Sequence, residues 1–307
     1  MFFKTPVIGK TEFKIPVTNS LSIPSVMING AAKGKRLVVT AGVHGCEYVG
    51  IEAVRQIIHE LRPSEMKGSV IFVPLVNQSG FYKGAKQIVP EDGKNLNRVF
   101  PGCQNGTVSQ QIADSVCKYL YPEADFILDL HGADCNEDIV PLVFCPSAAR
   151  NMVNSMSFEV ASSLSVEYVV LSKSNNGLYS YAAAFGIPSL LIERGGRGMI
   201  SDGEVEMCKK NIREVMSALD IISLTDRTTT AKIIEKAEYI ESEYDGFWCC
   251  SKKAGEHFKK GEILGHVENL FGDNLQTVYA NFDGIVMYHT TFLGVSAGDP
   301  IIAYGNI

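Results

Sequence analysis

A histidine and a glutamate stand three residues apart in Val43-His-Gly-Cys-Glu47. The apolar run Arg36-Leu-Val-Val-Thr-Ala-Gly-Val43 precedes them and reads as a buried strand. Ile51, Val54, Ile58 and Leu61 follow at helical spacing. His44 therefore falls in a strand-to-helix turn, and Glu47 in or beside the first helical turn. An imidazole and a carboxylate placed side by side at the open end of a strand are a common way to supply two ligands of a catalytic zinc. A third candidate is His131, which ends the apolar run Phe126-Ile-Leu-Asp-Leu-His131 before Gly132. Strand ends line the functional crevice of parallel α/β sheets. Two imidazoles and one carboxylate leave a fourth position for water, the open arrangement of a hydrolytic zinc.

These ligands need a sheet to carry them, and the first 230 residues alternate in the required way. Apolar strand-like runs at 36–43, 69–75, 125–131, 167–171 and 188–192 are interleaved with helical stretches at 47–61, 108–120, 147–164, 178–185 and 203–224. This alternation predicts an α/β domain, a largely parallel or mixed sheet flanked by helices. Beyond Thr225-Asp-Arg-Thr-Thr-Thr230 the texture changes to short β segments broken by Gly246, Gly255, Gly261, Gly265, Gly272, Gly284, Gly294 and Gly298. The expectation is two units, a hydrolase domain over 1–230 and a small all-β module over 231–307 packed beside the cleft. Its strands are expected at 262–267, 274–279 and 284–288, with Asp283-Gly284 in a tight turn.

Bulk properties narrow the function. The chain has 307 residues, 46% of them apolar, enough for a substantial core. A net charge of −6 offers no basic footprint for nucleic acid. No apolar segment is long enough for a membrane helix. The opening Met1-Phe-Phe-Lys-Thr-Pro lacks the longer apolar stretch of a signal peptide. Eight cysteines without a Cys-x-x-Cys pair read as reduced thiols of a cytoplasmic protein rather than a disulfide framework. Cys46, between two proposed ligands, reads as a small buried filler, because as a fourth ligand it would close the site. Oligomeric state is left open, a homo-oligomer included.

The segments His44-Gly-Cys-Glu47, Asn95-Leu-Asn-Arg-Val-Phe-Pro-Gly102, Asp129-Leu-His-Gly132 and Ile192-Glu-Arg-Gly-Gly196 together resemble the succinylglutamate desuccinylase/aspartoacylase family of the zinc-carboxypeptidase clan. The resemblance runs over nearly the whole chain, with the motifs in family order. It implies a zinc-dependent amidohydrolase on a carboxypeptidase-like α/β domain, with one Zn2+ per chain and a small N-acyl substrate. The C-terminal module would resemble a small lipoyl-type barrel. His44, Glu47 and His131 become the zinc ligands, and Glu193 the general base that activates the zinc-bound water. Glu193 follows an apolar strand and precedes Gly195-Gly196, so it too projects from a strand end. The plain alternative is a Glu paired with Arg194 or Arg197 at a turn.

In the family the final Asn-Arg of the second motif binds a substrate carboxylate, here Asn97 and Arg98. A planar guanidinium takes a carboxylate bidentately and an amide adds a donor; the plain alternative is a polar surface loop. Asp129 lies two residues before His131 and faces the same side of the strand. It either hydrogen-bonds a ligating His or pairs with a backbone donor.

The chain also departs from the family. No Arg occurs between Gly80 and Asn97, where relatives place one to polarise the scissile carbonyl; Lys83, Lys86 and Lys94 stand there instead. Where aspartoacylase-like relatives have an Arg for a second substrate carboxylate, this chain has Ala183, with Tyr179 one helical turn away as a hydrogen-bond donor. The expected substrate is therefore an N-acyl compound with a single carboxylate or a neutral to basic side chain. A carboxypeptidase-type peptidase would use the same zinc site and the same Arg98. A non-catalytic binding protein on this fold is the third reading.

Overall fold

Side chains of the central strands alternate between two apolar layers. Leu37, Val39 and Ala41 join Phe126, Leu128 and Leu130 in one buried cluster, with Leu190 and Ile192. Val38, Ile127, Ile71 and Val73 point into a second cluster on the opposite face. This period of two makes the sheet the middle of three layers. A computed structural model describes residues 7–224 and 231–307. The first six residues and the expected boundary segment at 225–230 lie outside the described residues.

The main sheet has nine strands, in the order Gly9–Pro16, Ser22–Asn29, Lys67–Val73, Ala32–Ala41, Phe126–His131, Ser189–Glu193, Leu142–Pro146, Tyr168–Ser172 and Lys232–Ile234. The four strands from Lys67–Val73 to Ser189–Glu193 run parallel, and Leu142–Pro146 then runs antiparallel to Ser189–Glu193. Helices Tyr48–Glu60 and Asp202–Ala218 cover one face, and Val108–Tyr119 and Leu178–Phe185 cover the other. Each fully buried Leu, Ile or Phe in these layers stabilises the fold by roughly 1.5–3 kcal/mol.

The helix expected over 203–224 ends earlier, at Ala218. Asp220 adopts φ 58°, a left-handed conformation that a helix cannot continue through. The helix expected from 147 starts at Asn151: the strand ends at Pro146 and residues 147–150 form a turn held by the Asn154 side chain. The first two strands, an antiparallel hairpin on the sheet edge, carry too little apolar periodicity to stand out in the sequence. Gly284 opens a strand rather than sitting in a turn. A Cβ there would lie 2.1 Å from the Gly305 carbonyl oxygen, so the close approach of the two strands requires glycine.

Beyond residue 231 the chain first adds Lys232–Ile234 to the edge of the main sheet. The rest forms two antiparallel sheets facing each other across Trp248, Phe258, Leu264, Val286 and Tyr304. Two links tie this module to the larger one. Glu137–Ile139 pairs with Gly284–Thr290 of the module. Ile285, Met287 and Ala303 pack with Leu142, Tyr168 and Val170 in a shared apolar cluster.

Candidate metal centre and cleft

Strands Ala32–Ala41, Phe126–His131 and Ser189–Glu193 are neighbours and parallel, so their carboxyl ends open on the same edge. His44 and Glu47 follow the first, His131 ends the second and Glu193 ends the third. Two glycines let the loops converge. A Cβ on Gly45 would lie 2.2 Å from the Gly80 backbone, and one on Gly132 would lie 2.5 Å from the Arg194 carbonyl oxygen. Any other residue would push the His44 turn or the end of the His131 strand away.

Glu47 occupies the N-cap position of helix Tyr48–Glu60 but does not cap it. Its carboxylate turns into the site instead. Oε1 lies 2.6 Å from His44 Nδ1, and Oε2 lies 2.8 Å from His131 Nδ1. Oε2 also accepts the Gly132 amide at 3.2 Å. One ligand atom from each of His44, Glu47 and His131 lies within 4.8 Å of the others, and all three residues are buried. Burial disfavours the charged Glu47, but the two imidazoles outweigh it and hold the carboxyl at about 2. Burial likewise works against protonation of His131, but the carboxylates of Glu47 and Asp129 outweigh it and hold the imidazole well above its usual range.

The outer nitrogens of both rings are fixed by oxygen acceptors. His131 Nε2 meets Asp129 Oδ2 at 3.2 Å, while Asp129 Oδ1 accepts the Thr40 hydroxyl at 2.7 Å. His44 Nε2 meets Asn95 Oδ1 at 3.1 Å. That same oxygen accepts the Asn97 backbone amide at 2.8 Å, which sets the orientation of the Asn95 amide. With an acceptor behind each Nε2, each ring in its neutral, metal-binding form would keep its hydrogen on Nε2 and leave Nδ1, on the Glu47 side, free to ligate. Two nitrogen lone pairs and a carboxylate converging on one point, each oriented from behind, are a donor set that fits a divalent metal such as zinc.

Glu193 is the register partner of His131 across the two parallel strands. Its Oε2 is buried with no hydrogen-bond partner among the described residues. Burial pushes its carboxyl well above the usual range; the imidazole of His131 pulls the other way, and Glu47, Glu137 and Asp129 add to the rise. The plain alternative, pairing with a neighbouring arginine, does not occur here. Arg194 binds Glu204 at 2.8 Å and Arg197 binds Asp138 at 2.5 Å.

The other expected residues divide. Asn97 is buried, and its Oδ1 accepts the Leu178 amide at 2.8 Å, holding the start of helix Leu178–Phe185. Arg98 is exposed, with Nη1 on the Asn97 carbonyl at 2.9 Å and no ion pair among the described residues. Tyr179 is buried on that helix with its phenol against the Ser172 side chain, and burial pushes its pKa up. Ala183 is buried on the same helix. Of the three lysines, Lys86 comes to 4.0 Å from Glu137, while Lys83 pairs with Glu91 at 3.9 Å. The Cys46 thiol hydrogen-bonds Asp134 Oδ1 at 2.8 Å, and its sulfur stands outside the ligand group.

Several residues had no signal strong enough to single them out. Asn95 lies in a recognised motif, but only the fold shows that it holds His44. Glu137 and Asp134 make a buried acidic pair beside the ligands. Burial, then the charge of Asp134, pushes the Glu137 carboxyl up to about 7. Tyr239 and Tyr288 come from the C-terminal module, within electrostatic reach of Glu193 and Arg98, and burial pushes both phenols up. Nothing local in the sequence marks them, because the fold brings them in from far along the chain. His289 is buried, with Nδ1 on the Thr290 carbonyl at 2.9 Å. His59 is exposed. No described helix is long and apolar enough to cross a membrane.

Comparison with known proteins bears on the fold and the family. Residues 33–219 match the family described as Succinylglutamate desuccinylase/Aspartoacylase catalytic domain. An N-alpha-acetyl-L-2,4-diaminobutyric acid deacetylase from Halomonas elongata is 25% identical over 96% of this chain and 90% of its own. The solved structure of a succinylglutamate desuccinylase/aspartoacylase from Rhodobacter sphaeroides superposes with TM-score 0.87 at 25% identity, covering 98% of this chain and 96% of that one. The product-bound structure of an ectoine utilization protein from Ruegeria pomeroyi shares the fold, with TM-score 0.89 at 24% identity over 99% and 98% of the two chains. A protein from Shewanella denitrificans described as a putative metallopeptidase matches more distantly in fold, with TM-score 0.51 at 15% identity over 69% of this chain and 84% of that one, and the fold is carboxypeptidase-like. This chain belongs to the succinylglutamate desuccinylase/aspartoacylase family.

Proposed function

We propose that the protein is a zinc-dependent deacylase that hydrolyses the amide bond of a small N-acyl amino acid. The observation that carries this reading is the register pairing of Glu193 with His131, which sets an unpartnered carboxylate oxygen beside the His44–Glu47–His131 group. His44 Nδ1, His131 Nδ1 and the Glu47 carboxylate would hold the ion. Zinc, when bound, acts as a Lewis acid toward a carbonyl and lowers the pKa of a water toward about 7.

Glu193 does the proton work. Its Oε2 accepts a proton from the attacking water and returns it to the amide nitrogen as the C–N bond breaks, which gives a free carboxylic acid and an amine. Burial favours this role, because a carboxylate without hydrogen bonds is a stronger base than a solvated one. Arg98 binds the substrate's carboxylate with its planar guanidinium, and the Asn97 side chain adds a donor beside it. Lys86, 4.0 Å from Glu137, adds a cation on the Glu137–Asp134 side of the site.

The side-chain pocket supports a neutral or basic substrate. Ala183 supplies no charge, Arg194 and Arg197 are tied to Glu204 and Asp138, and the Glu137 carboxyl, raised to about 7 by burial and by Asp134, would give up its proton more readily beside a cationic side chain. The Halomonas relative is named for a diamino acid derivative, which agrees with that charge balance. Tyr239 and Tyr288 stand near Glu193 from the C-terminal module, and this crowding favours small substrates over long peptides. The test is amine release from a panel of N-acetyl amino acids and short peptides, before and after chelation and zinc restoration. Zinc-dependent release from the N-acetyl compounds supports the reading. Release from peptides alone favours a carboxypeptidase, and no release from either favours a binding protein.

A further inference from the structure

A second group of metal-ligating side chains lies on the C-terminal module. Cys249, His266 and Glu268 each offer a ligand atom within 4.8 Å of the others. Strand Gly246–Cys250 pairs antiparallel with Ile263–Glu268, and Cys249 sits directly opposite His266. Directly paired residues hold their Cβ atoms about 4.5–5.5 Å apart on the same face. Glu268 is two residues beyond His266, on that face too, and its Oε1 lies 2.8 Å from His266 Nε2. The alternate residues Trp248 and Val267 point the other way into the module's core and fix both strands. Gly265 lets the Trp248 ring cross closely behind the pair, where a Cβ would lie 2.3 Å from it. All three candidate ligands are partly exposed, so an ion can reach them from solvent.

We infer that Cys249, His266 and Glu268 form a second metal site, for a borderline-soft divalent cation of the zinc class. A thiolate, an imidazole and a carboxylate with a water in the fourth position make a tetrahedral set, and the thiolate selects against magnesium and calcium. On binding, Cys249 gives its thiol proton to solvent. The thiolate and the Glu268 carboxylate then balance the two charges of the ion. An ordinary surface His–Glu pair would contribute little to stability; an ion holding Cys249 to His266 would clamp two neighbouring strands and stabilise the folded module in proportion to its occupancy. This site is independent of the catalytic reading, because it shares no residue with it.

Metal-free protein, kept reduced without thiols, is titrated with cobalt(II) and then with zinc. The expected result is a thiolate-to-cobalt charge-transfer band with the amplitude of one thiolate-bound cobalt per chain, saturating by the time two equivalents, one for each site, are bound. The band is lost in Cys249→Ser, strongly reduced in His266→Ala and retained in His131→Ala. Zinc binding falls by one equivalent in Cys249→Ser relative to the unaltered protein. Circular dichroism and melting of the metal-free variants show whether the fold is intact, and the exposed position of all three residues predicts that it is. A wild-type protein without the band, or a band undiminished in folded Cys249→Ser, overturns the second site. Loss of one zinc in His131→Ala with the band unchanged assigns that ion to the catalytic group, so the two readings fail separately.

Discussion

Glu193 and His131 are register partners at the ends of adjacent parallel strands. Backbone hydrogen bonds between the two strands therefore set the distance between the base and one metal ligand. A loop-borne carboxylate would wander with its loop, whereas a strand end built into the sheet holds its place. The His44–Glu47 turn hangs from the next strand over, where Ala41 pairs with Leu130. Three consecutive strands of one parallel block thus deliver the whole group.

The oxygen acceptors behind the two imidazoles make a quantitative prediction. Asp129→Ala and Asn95→Ala leave all three ligand side chains in place but release His131 or His44 from its orienting contact. Each variant should bind zinc about 10–100-fold more weakly, the usual effect of removing such a partner. Competition with a chromophoric chelator measures it. Unchanged affinity in both would mean that the rings are oriented by packing alone.

A pH prediction follows from Glu137, whose carboxyl is raised from 4.5 to about 7 in the folded protein. Below the unfolded value the acid is neutral in both states and costs nothing. As pH rises toward 7 the unfolded chain ionises it freely and the folded chain does not, so stability is lost through that window. Glu137→Gln removes this loss and can still accept the Asp134 amide. In the metal-free protein the variant should gain on the wild type between about pH 4.5 and 7, by on the order of 3 kcal/mol at the upper end. Urea unfolding across this range is the measurement, and a difference independent of pH would contradict the assignment.

Much of this site was legible in the sequence, and the residues show why. His44, Glu47, His131 and Glu193 sit at the ends of uninterrupted apolar runs, and a strand followed by Gly or a helix start leaves few places for the end residue to point. Asp129 could be placed on the His131 side from the two-residue period alone, and the structure puts it on the ring. Asn97 and Asn95 could not be separated this way: both belong to one polar turn, and only the folded turn shows one holding His44 and the other holding helix Leu178–Phe185. Tyr239 and Tyr288 were invisible for a different reason. Their place beside Glu193 depends on the pairing of Glu137–Ile139 with Gly284–Thr290, a contact about half the chain apart. The hairpin Gly9–Pro16 and Ser22–Asn29 was missed because charged and polar residues interrupt its alternation.

Substrate charge is a separate test. With Ala at position 183, Arg194 and Arg197 tied to Glu204 and Asp138, and Arg98 taken by the first carboxylate, a second carboxylate would be buried without a partner, at a cost of several kcal/mol on the order of an unsatisfied charge. Kinetics on N-acetylaspartate and on neutral and basic N-acetyl amino acids should show kcat/KM at least about 10²-fold lower for the aspartate compound. A clear preference for N-acetylaspartate would mean that another cation, with Lys86 the nearest candidate, pairs with the second carboxylate.

The central claim is that His44, Glu47 and His131 hold the metal while Glu193 moves the proton, and one pair of variants separates the two roles. Zinc content and turnover are measured on the same samples of wild type, His131→Ala and Glu193→Gln. The account predicts that His131→Ala loses the catalytic ion and its activity together. It predicts that Glu193→Gln keeps the ion and loses turnover by on the order of 10²-fold or more, because the amide cannot accept a proton from water. Glu193→Gln turning over within a factor of a few of wild type, with its zinc in place, would contradict it.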